Sequence, residues 1–143
     1  MKHFKLLIIT LTVITLSACN LNNANRIERK HYAPWEKEIG YTQVIRTGNT
    51  LHLSGITSSA KSFDDQIDEI YNRLTEILSD YDTDLSHVVK EMIYTTDIEA
   101  LKAASPIRKK HFANDLYPSA TWVQVSALYS KEFMLEIDII VAL

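Results

Sequence analysis

Glu136 lies in the run Leu135-Glu136-Ile137-Asp138-Ile139-Ile140, a β-prone stretch dominated by apolar side chains. Alternation puts Leu135, Ile137, Ile139 and Val141 on one face of such a strand and Met134, Glu136, Asp138 and Ile140 on the other. A carboxylate with apolar neighbours loses water, which disfavours its charged form and moves it toward the range useful for moving protons near neutral pH. Its plainer role is a hydrogen-bond acceptor that ties subunits together. Tyr41 offers a phenol that either donates a hydrogen bond to a ligand or caps an interface. Trp122 offers an aromatic wall for a pocket or ordinary packing, and Gln124 on the same face suits a bond across a symmetry axis. Other reactive groups carry less. His31, His87 and His111 have no metal-ligand spacing, so no zinc site is expected, and His52 stands alone on a strand. Ser17, Ser54 and Ser126 have no nucleophile-elbow context. Asp64, Asp65, Asp68 and Glu69 crowd a helix start, where the helix dipole favours them without a ligand.

Cys19 is the single cysteine, so disulfide and thiol-nucleophile chemistry are not expected. Its setting points elsewhere. A basic start (Lys2, Lys5), an uncharged apolar run from Leu6 to Leu16 and then Ser17-Ala18-Cys19 form the layout of a secretory signal. The run is shorter than the roughly 20 residues that span a bilayer. Leu16-Ser17-Ala18-Cys19 resembles the lipobox of bacterial lipoproteins. That resemblance implies cleavage after residue 18, lipid on Cys19, a membrane anchor through that lipid, and a domain in the cell envelope facing the periplasm. Asn20, in place of Asp, favours sorting to the outer membrane over the inner.

Loss of residues 1–18 leaves about 125 residues, enough for one core. Without Lys2 and Lys5 the basic count falls from 15 to 13 against 18 acidic residues, a net charge of −5. This argues against nucleic acid as a partner and against electrostatic docking on anionic lipid. Residues 19–33, rich in Asn, read as the lipid-bearing cysteine and a flexible tether spanning ~20 Å. Residues 34–143 read as one domain. Tyr41–Arg46 and Thr50–Ser54 flank Thr47-Gly48-Asn49 as a hairpin. From Phe63 to Tyr81 apolar residues recur every three or four positions, which predicts a long helix with Ser62 as N-cap. His87–Thr96 reads as a strand. Ile98–Asn114 reads as helix interrupted at Pro106, with Ser105 capping the second piece. Ala120–Leu128 and Phe133–Leu143 read as two strands of a second hairpin. The order is β-β-α-β-α-β-β, an α+β fold with one sheet and both helices on one face. In the fourth strand Thr121, Val123 and Val125 are assigned to the helix side and Ala120, Trp122 and Gln124 to the opposite, mixed face. A mixed face carrying Trp122 and Met134 predicts cover by another copy of the chain, with clefts at the seams.

Five stretches in order carry a resemblance to a known family. They are Ile39-Gly40-Tyr41-Thr42-Gln43, then Gly48 through Gly55, Val88-Val89-Lys90 with Tyr94-Thr95-Thr96-Asp97, Pro118 through Val125, and Leu135-Glu136-Ile137-Asp138. Together they resemble the Rid family, also called YjgF or L-PSP, over roughly residues 34–143. The resemblance implies a chorismate-mutase-like fold, a homotrimer whose sheets line a central barrel, and small-molecule ligands in clefts between subunits. It also implies hydrolysis of reactive enamines and imines to carbonyl compounds and ammonia without a metal or cofactor. By that resemblance Tyr41 and Glu136 take catalytic roles, with Tyr41 of one chain meeting Glu136 of its neighbour, and the Gly55 backbone approaches the ligand. Active deaminases place a carboxylate-binding arginine where this chain has Ala120, and many members place an asparagine where it has Ser105. Arg46 and Arg108 read as solvated surface charges.

Two functional expectations follow. One is an enamine or imine hydrolase with an altered substrate, with Trp122 walling the pocket. The other is a lipid-anchored trimer that binds a small molecule without turning it over. An RNA-cleaving activity fits the negative charge least.

Overall fold

Ser62 stops the chain from fraying at the start of its longest helix: its side chain accepts a hydrogen bond from the Asp65 backbone N–H at 3.1 Å. That helix, α2 (Phe63–Ser79), opens with Asp64 and Asp65 at its positive end. Its buried stripe of Ile67, Ile70, Tyr71, Leu74, Ile77 and Leu78 lies against a sheet. The computed structural model describes residues 26–143; the leader, Cys19 and the first part of the expected tether lie outside the described residues. Six strands form the sheet: β1 (Ile27–Lys30), β2 (Val44–Thr47), β3 (Thr50–Thr57), β4 (Val88–Thr95), β5 (Ser119–Gln124) and β6 (Leu135–Ala142). Three shorter helices complete the fold, α1 (Pro34–Glu38), α3 (Ile98–Ala103) and α4 (Ser105–Lys110). The expected α+β architecture, with one sheet and its helices on one face, is what the chain adopts.

The strand order is β1-β2-β3-β6-β4-β5. β6 runs antiparallel between β3 and β4, and β5 runs parallel to β4. The expected hairpin between the last two strands therefore does not form. The burial of each strand explains why. Leu135, Ile137, Ile139 and Val141 of β6 are fully buried, so this strand gains from neighbours on both sides. Ser119, Ala120, Val123 and Gln124 of β5 are exposed, which suits an edge.

Several local expectations are corrected. Ile27–Lys30, placed in the tether by the sequence, pairs antiparallel with β2 from Ile27↔Thr47 to Lys30↔Val44. The free edge of β2 offers unpaired backbone groups, and Asp80 at the end of α2 holds the strand's far end by accepting from Lys30 Nζ at 2.6 Å and Tyr32 Oη at 2.8 Å. Ser105 does not cap α4. Ala104, the C-cap of α3, also precedes α4 without a side-chain bond, and Ser105 is the first helical residue with Pro106 behind it. Arg108 is not a solvated charge. It is 5% exposed, and its Nε and Nη2 donate to Glu91 Oε2 at 2.9 and 2.7 Å, while the Tyr71 hydroxyl donates to Glu91 Oε1.

Candidate functional site

The site begins with an irregularity in β3. Leu53 pairs with Ile139 and Ile56 with Ile137, so three steps on β3 face two on β6, a bulge at Ser54-Gly55. Gly55 is needed there for space: a Cβ would lie 2.6 Å from Cδ and 2.7 Å from Cγ of Glu136 and would overlap its carboxyl oxygen. The side chain of Glu136 thus folds over the glycine backbone. Tyr41 arrives from the other side, and its hydroxyl donates to the Gly55 carbonyl at 2.8 Å. Tyr41, Gly55 and Glu136 therefore meet within one chain, where the sequence reading had placed Tyr41 and Glu136 on neighbouring chains. Tyr41 precedes β2 instead of lying in it.

A buried carboxylate on α1 holds Tyr41 in place. Glu36 is 1% exposed; its Oε1 accepts from the backbone N–H of Tyr32 (2.9 Å) and Ala33 (3.0 Å), and its Oε2 from that of Gln43 (3.3 Å). Its carbonyl accepts from Tyr41 N at 2.6 Å, and Gly40 between them takes φ +77°, open to glycine at little cost. Gln43 and Ser54 then lock the segment to the bulge. Ser54 N donates to Gln43 O at 3.0 Å, Gln43 Nε2 to Ser54 O at 3.0 Å, and Ser54 Oγ to Thr42 O at 2.8 Å.

Partial burial, and then the negative charge of Asp138, push the Glu136 carboxyl above its ordinary pKa of 4.5. Burial likewise raises Asp138, which shares the face, while Tyr94 and Lys90 oppose that rise. The Tyr41 phenol is pushed up to about 12, first by burial, with the charges of Glu136 and Glu36 adding to it. Glu136 and Asp138 also line an open groove of about 390 Å³ together with Tyr94, Val125, Ala127, Leu128 and Tyr129. A half-desolvated carboxyl over a half-buried bulge that also holds a protonated phenol can accept and return a proton while the phenol oxygen and the bulge orient a polar ligand.

The other expected site residues lie elsewhere. Trp122 pairs with Ile93, and Ala120 with Glu91, in the parallel β4–β5 register. Ile93 and Glu91 are buried under the helices, so Trp122 and Ala120 point to that side and not to the mixed face with Glu136. Trp122 packs on the core, and the Arg108 guanidinium lies 5.6 Å from its ring. Because the whole of β5 is poorly buried, alternation alone does not reveal which of its sides is inside. Ser105 is half-buried at the head of α4, with no role in the Tyr41–Gly55–Glu136 group. Sequence reasoning missed Glu36, Gln43 and Ser54 as neighbours of the site, whereas Asp138 lies on the Glu136 face as alternation predicts. Pro34 followed by Glu36 was a usable signal, since proline at the first helical turn with a following glutamate that reaches back marks a helix start.

A profile of the family described as Endoribonuclease L-PSP matches residues 33–143. The chain is 30% identical over 96 residues to the chloroplastic Reactive Intermediate Deaminase A of Arabidopsis thaliana, a match covering 62% of this chain and 51% of that protein. The chain thus spans about half the length of that relative. Its fold is similar to that of a YjgF-family protein from Mycobacterium tuberculosis, with a TM-score of 0.75 at 23% identity over 82% of this chain and 100% of that one. A YjgF-family protein from Neisseria meningitidis superposes with a TM-score of 0.74 at 18% identity, covering 83% of this chain and 96% of the other.

Proposed function

This chain belongs to the endoribonuclease L-PSP family, also called the Rid or YjgF family, and from that premise we propose that it hydrolyses a small enamine or imine. The observation that carries the reading is the Glu136 carboxyl folded over Gly55, the residue whose carbonyl accepts from the Tyr41 phenol. Glu136 takes a proton from water as the water oxygen bonds to the imine carbon, and returns it to nitrogen to give a carbinolamine. Glu136 then takes the hydroxyl proton as the C=O bond forms and the C–N bond breaks, and gives it to the departing nitrogen, so that a carbonyl compound and ammonia or an amine leave. The Tyr41 hydrogen is committed to the Gly55 carbonyl, so its oxygen accepts from a substrate N–H. The substrate differs from a simple imino acid. Ala120 supplies no guanidinium, and Arg108 is occupied by Glu91 in the core. The relative's name, Reactive Intermediate Deaminase A, supports the reaction class.

The working form in this proposal is a homotrimer. The face bearing Ile45, His52, Met92, Tyr94, Glu136 and Ile140 carries too much apolar surface to face water alone, and a second copy over it leaves ligand clefts at the seams. The leader and Cys19 support a lipid anchor, with the domain facing the periplasm at the outer membrane.

The test is release of ammonia and carbonyl product from a panel of imines generated in situ, for the wild type and Glu136→Gln. We expect a loss of about 10²- to 10⁴-fold in the variant; equal rates end the proposal. Ala120 favours one second reading, a trimer that binds a ligand without turning it over. Saturable binding at the seams with no product from any imine would select it.

A further inference from the structure

The correction at Trp122 leaves the site without its expected aromatic wall, and a different tryptophan stands beside it. Trp35 on α1 is 50% exposed although it is among the largest apolar side chains of the domain. Its ring lies 5.6 Å from that of Tyr41, tilted by 30°. The neighbouring Ile39 is 57% exposed and extends the same apolar surface. The two faces of α1 have opposite fates. Glu36 points inward and ties down three backbone N–H groups, while Trp35, one residue earlier, is held outward next to the phenol. A five-residue helix has little stability of its own, so this clamp is what fixes the indole.

Two carboxylates lie close to the phenol. Glu136 lies over Gly55 at the tip of Tyr41, and Asp138 shares its face. Among the described residues neither carboxylate has an ion-pair partner within 4.0 Å. Two lysines lie near the segment, and Lys90 shares the sheet face of Asp138 without forming an ion pair to it within 4.0 Å. Lys90 Nζ donates to Thr121 Oγ1 at 2.7 Å, and Lys37 lines a separate groove with His31, Tyr32, Ala33 and Pro34. Two electron-rich rings beside an unpaired carboxylate attract a flat cation and repel an anion.

We propose that Trp35 is the specificity-determining wall of this site and that, with Tyr41 and Glu136, it selects a planar, positively charged ligand without a carboxylate. A conjugated iminium ion is the reactive member of that class. The proposal rests on the reading of Tyr41, Gly55 and Glu136 as the ligand site and adds the ligand's charge and shape to it. Electrons of the two rings face the delocalised cation, and the carboxylate balances its charge.

N-methylpyridinium serves as a stable planar cation and benzoate as the planar anion of similar size. Titrations of the full chain follow the two indole N–H resonances by NMR, since Trp35 and Trp122 are the only tryptophans. N-methylpyridinium is expected to shift the Trp35 resonance and leave that of Trp122 in place, while benzoate shifts neither. Its affinity should fall roughly 3- to 30-fold in Trp35→Ala, as expected for loss of one ring–cation contact, and be largely kept in Trp35→Phe. Glu136→Gln should weaken it by a similar factor. Equal affinity in wild type and Trp35→Ala, or benzoate binding as tightly as the cation, overturns the proposal. If Trp35→Ala does not fold, Trp35→Leu, which keeps bulk without an electron-rich ring, replaces it with the same expected loss. Failure here is separable from failure of the hydrolase. Cation binding that depends on Trp35, with no imine turned over, sinks the hydrolase and keeps the wall. Turnover that depends on Glu136 but is indifferent to Trp35 and to ligand charge does the reverse.

Discussion

Removing one partner of the buried Glu91–Arg108 pair should destabilise the domain strongly, whereas removing the whole polar group should not. Glu91 is fully buried and Arg108 is 5% exposed, so each charge depends on the other and on the Tyr71 hydroxyl. Arg108 cannot shed its proton, and Glu91→Leu leaves it charged among the rings of Phe112, Tyr117 and Trp122. The expected loss is about 3–5 kcal/mol, out of roughly 5–15 for a domain of this size. That corresponds to a fall in Tm of about 15 °C for a chain of this length. Arg108→Met leaves the Glu91 side chain buried without its ion-pair partner and should cost a similar amount. The triple variant Tyr71→Phe, Glu91→Leu, Arg108→Met leaves no orphan and should return to within about 2 kcal/mol of wild type. Urea unfolding at fixed protein concentration and pH 7 measures all of these. If Glu91→Leu or Arg108→Met costs under about 1 kcal/mol, the pair is not the closed, water-free unit inferred from its geometry.

Gly55→Ala should cost only about 1–3 kcal/mol, because the overlapping atoms belong to a side chain that can swing away, yet it should abolish the site's proton chemistry. Carbon-13 titration of the Glu136 carboxyl reads this directly: its midpoint should fall back toward 4.5 as the group moves into water. The folded pKa of Glu136 is raised in the wild type, so its contribution to stability is present below 4.5 and is lost as pH rises through the folded value; the variant should lose that slope. An unmoved midpoint means the glycine does not seat the carboxyl. Cys19→Ser should move the protein from the detergent-soluble membrane fraction to the soluble fraction of the envelope; unchanged membrane retention refutes the lipid anchor.

Much of the fold was legible because it follows from local rules. The 3.6-residue period of Phe63–Ser79 and the alternation of Leu135–Val141 state which side is inside, the cap at Ser62 states where the helix starts, and all three hold in the folded chain. The motifs around Tyr41, Gly55 and Glu136 carried the family, and the structure gathers those three residues. The edges were less legible. β1 has no apolar pattern of its own and exists because β2 offers a free edge. β5 is so little buried that its inward face could not be told from its outward one, and Trp122 was placed on the wrong side for that reason.

The sequence alone determined the helix and strand periodicities, the export-like leader, the order of family motifs and the absence of an arginine at residue 120. These are properties of neighbours along the chain, where spacing sets which side chains share a face. Only the tertiary structure decided that β6 sits between β3 and β4, that Arg108 is spent on Glu91, and that Glu36 reaches seven residues ahead to brace Gln43. Each of those depends on which groups water abandons when distant segments meet. A buried charge or an unpaired N–H selects its partner from whatever the fold brings near.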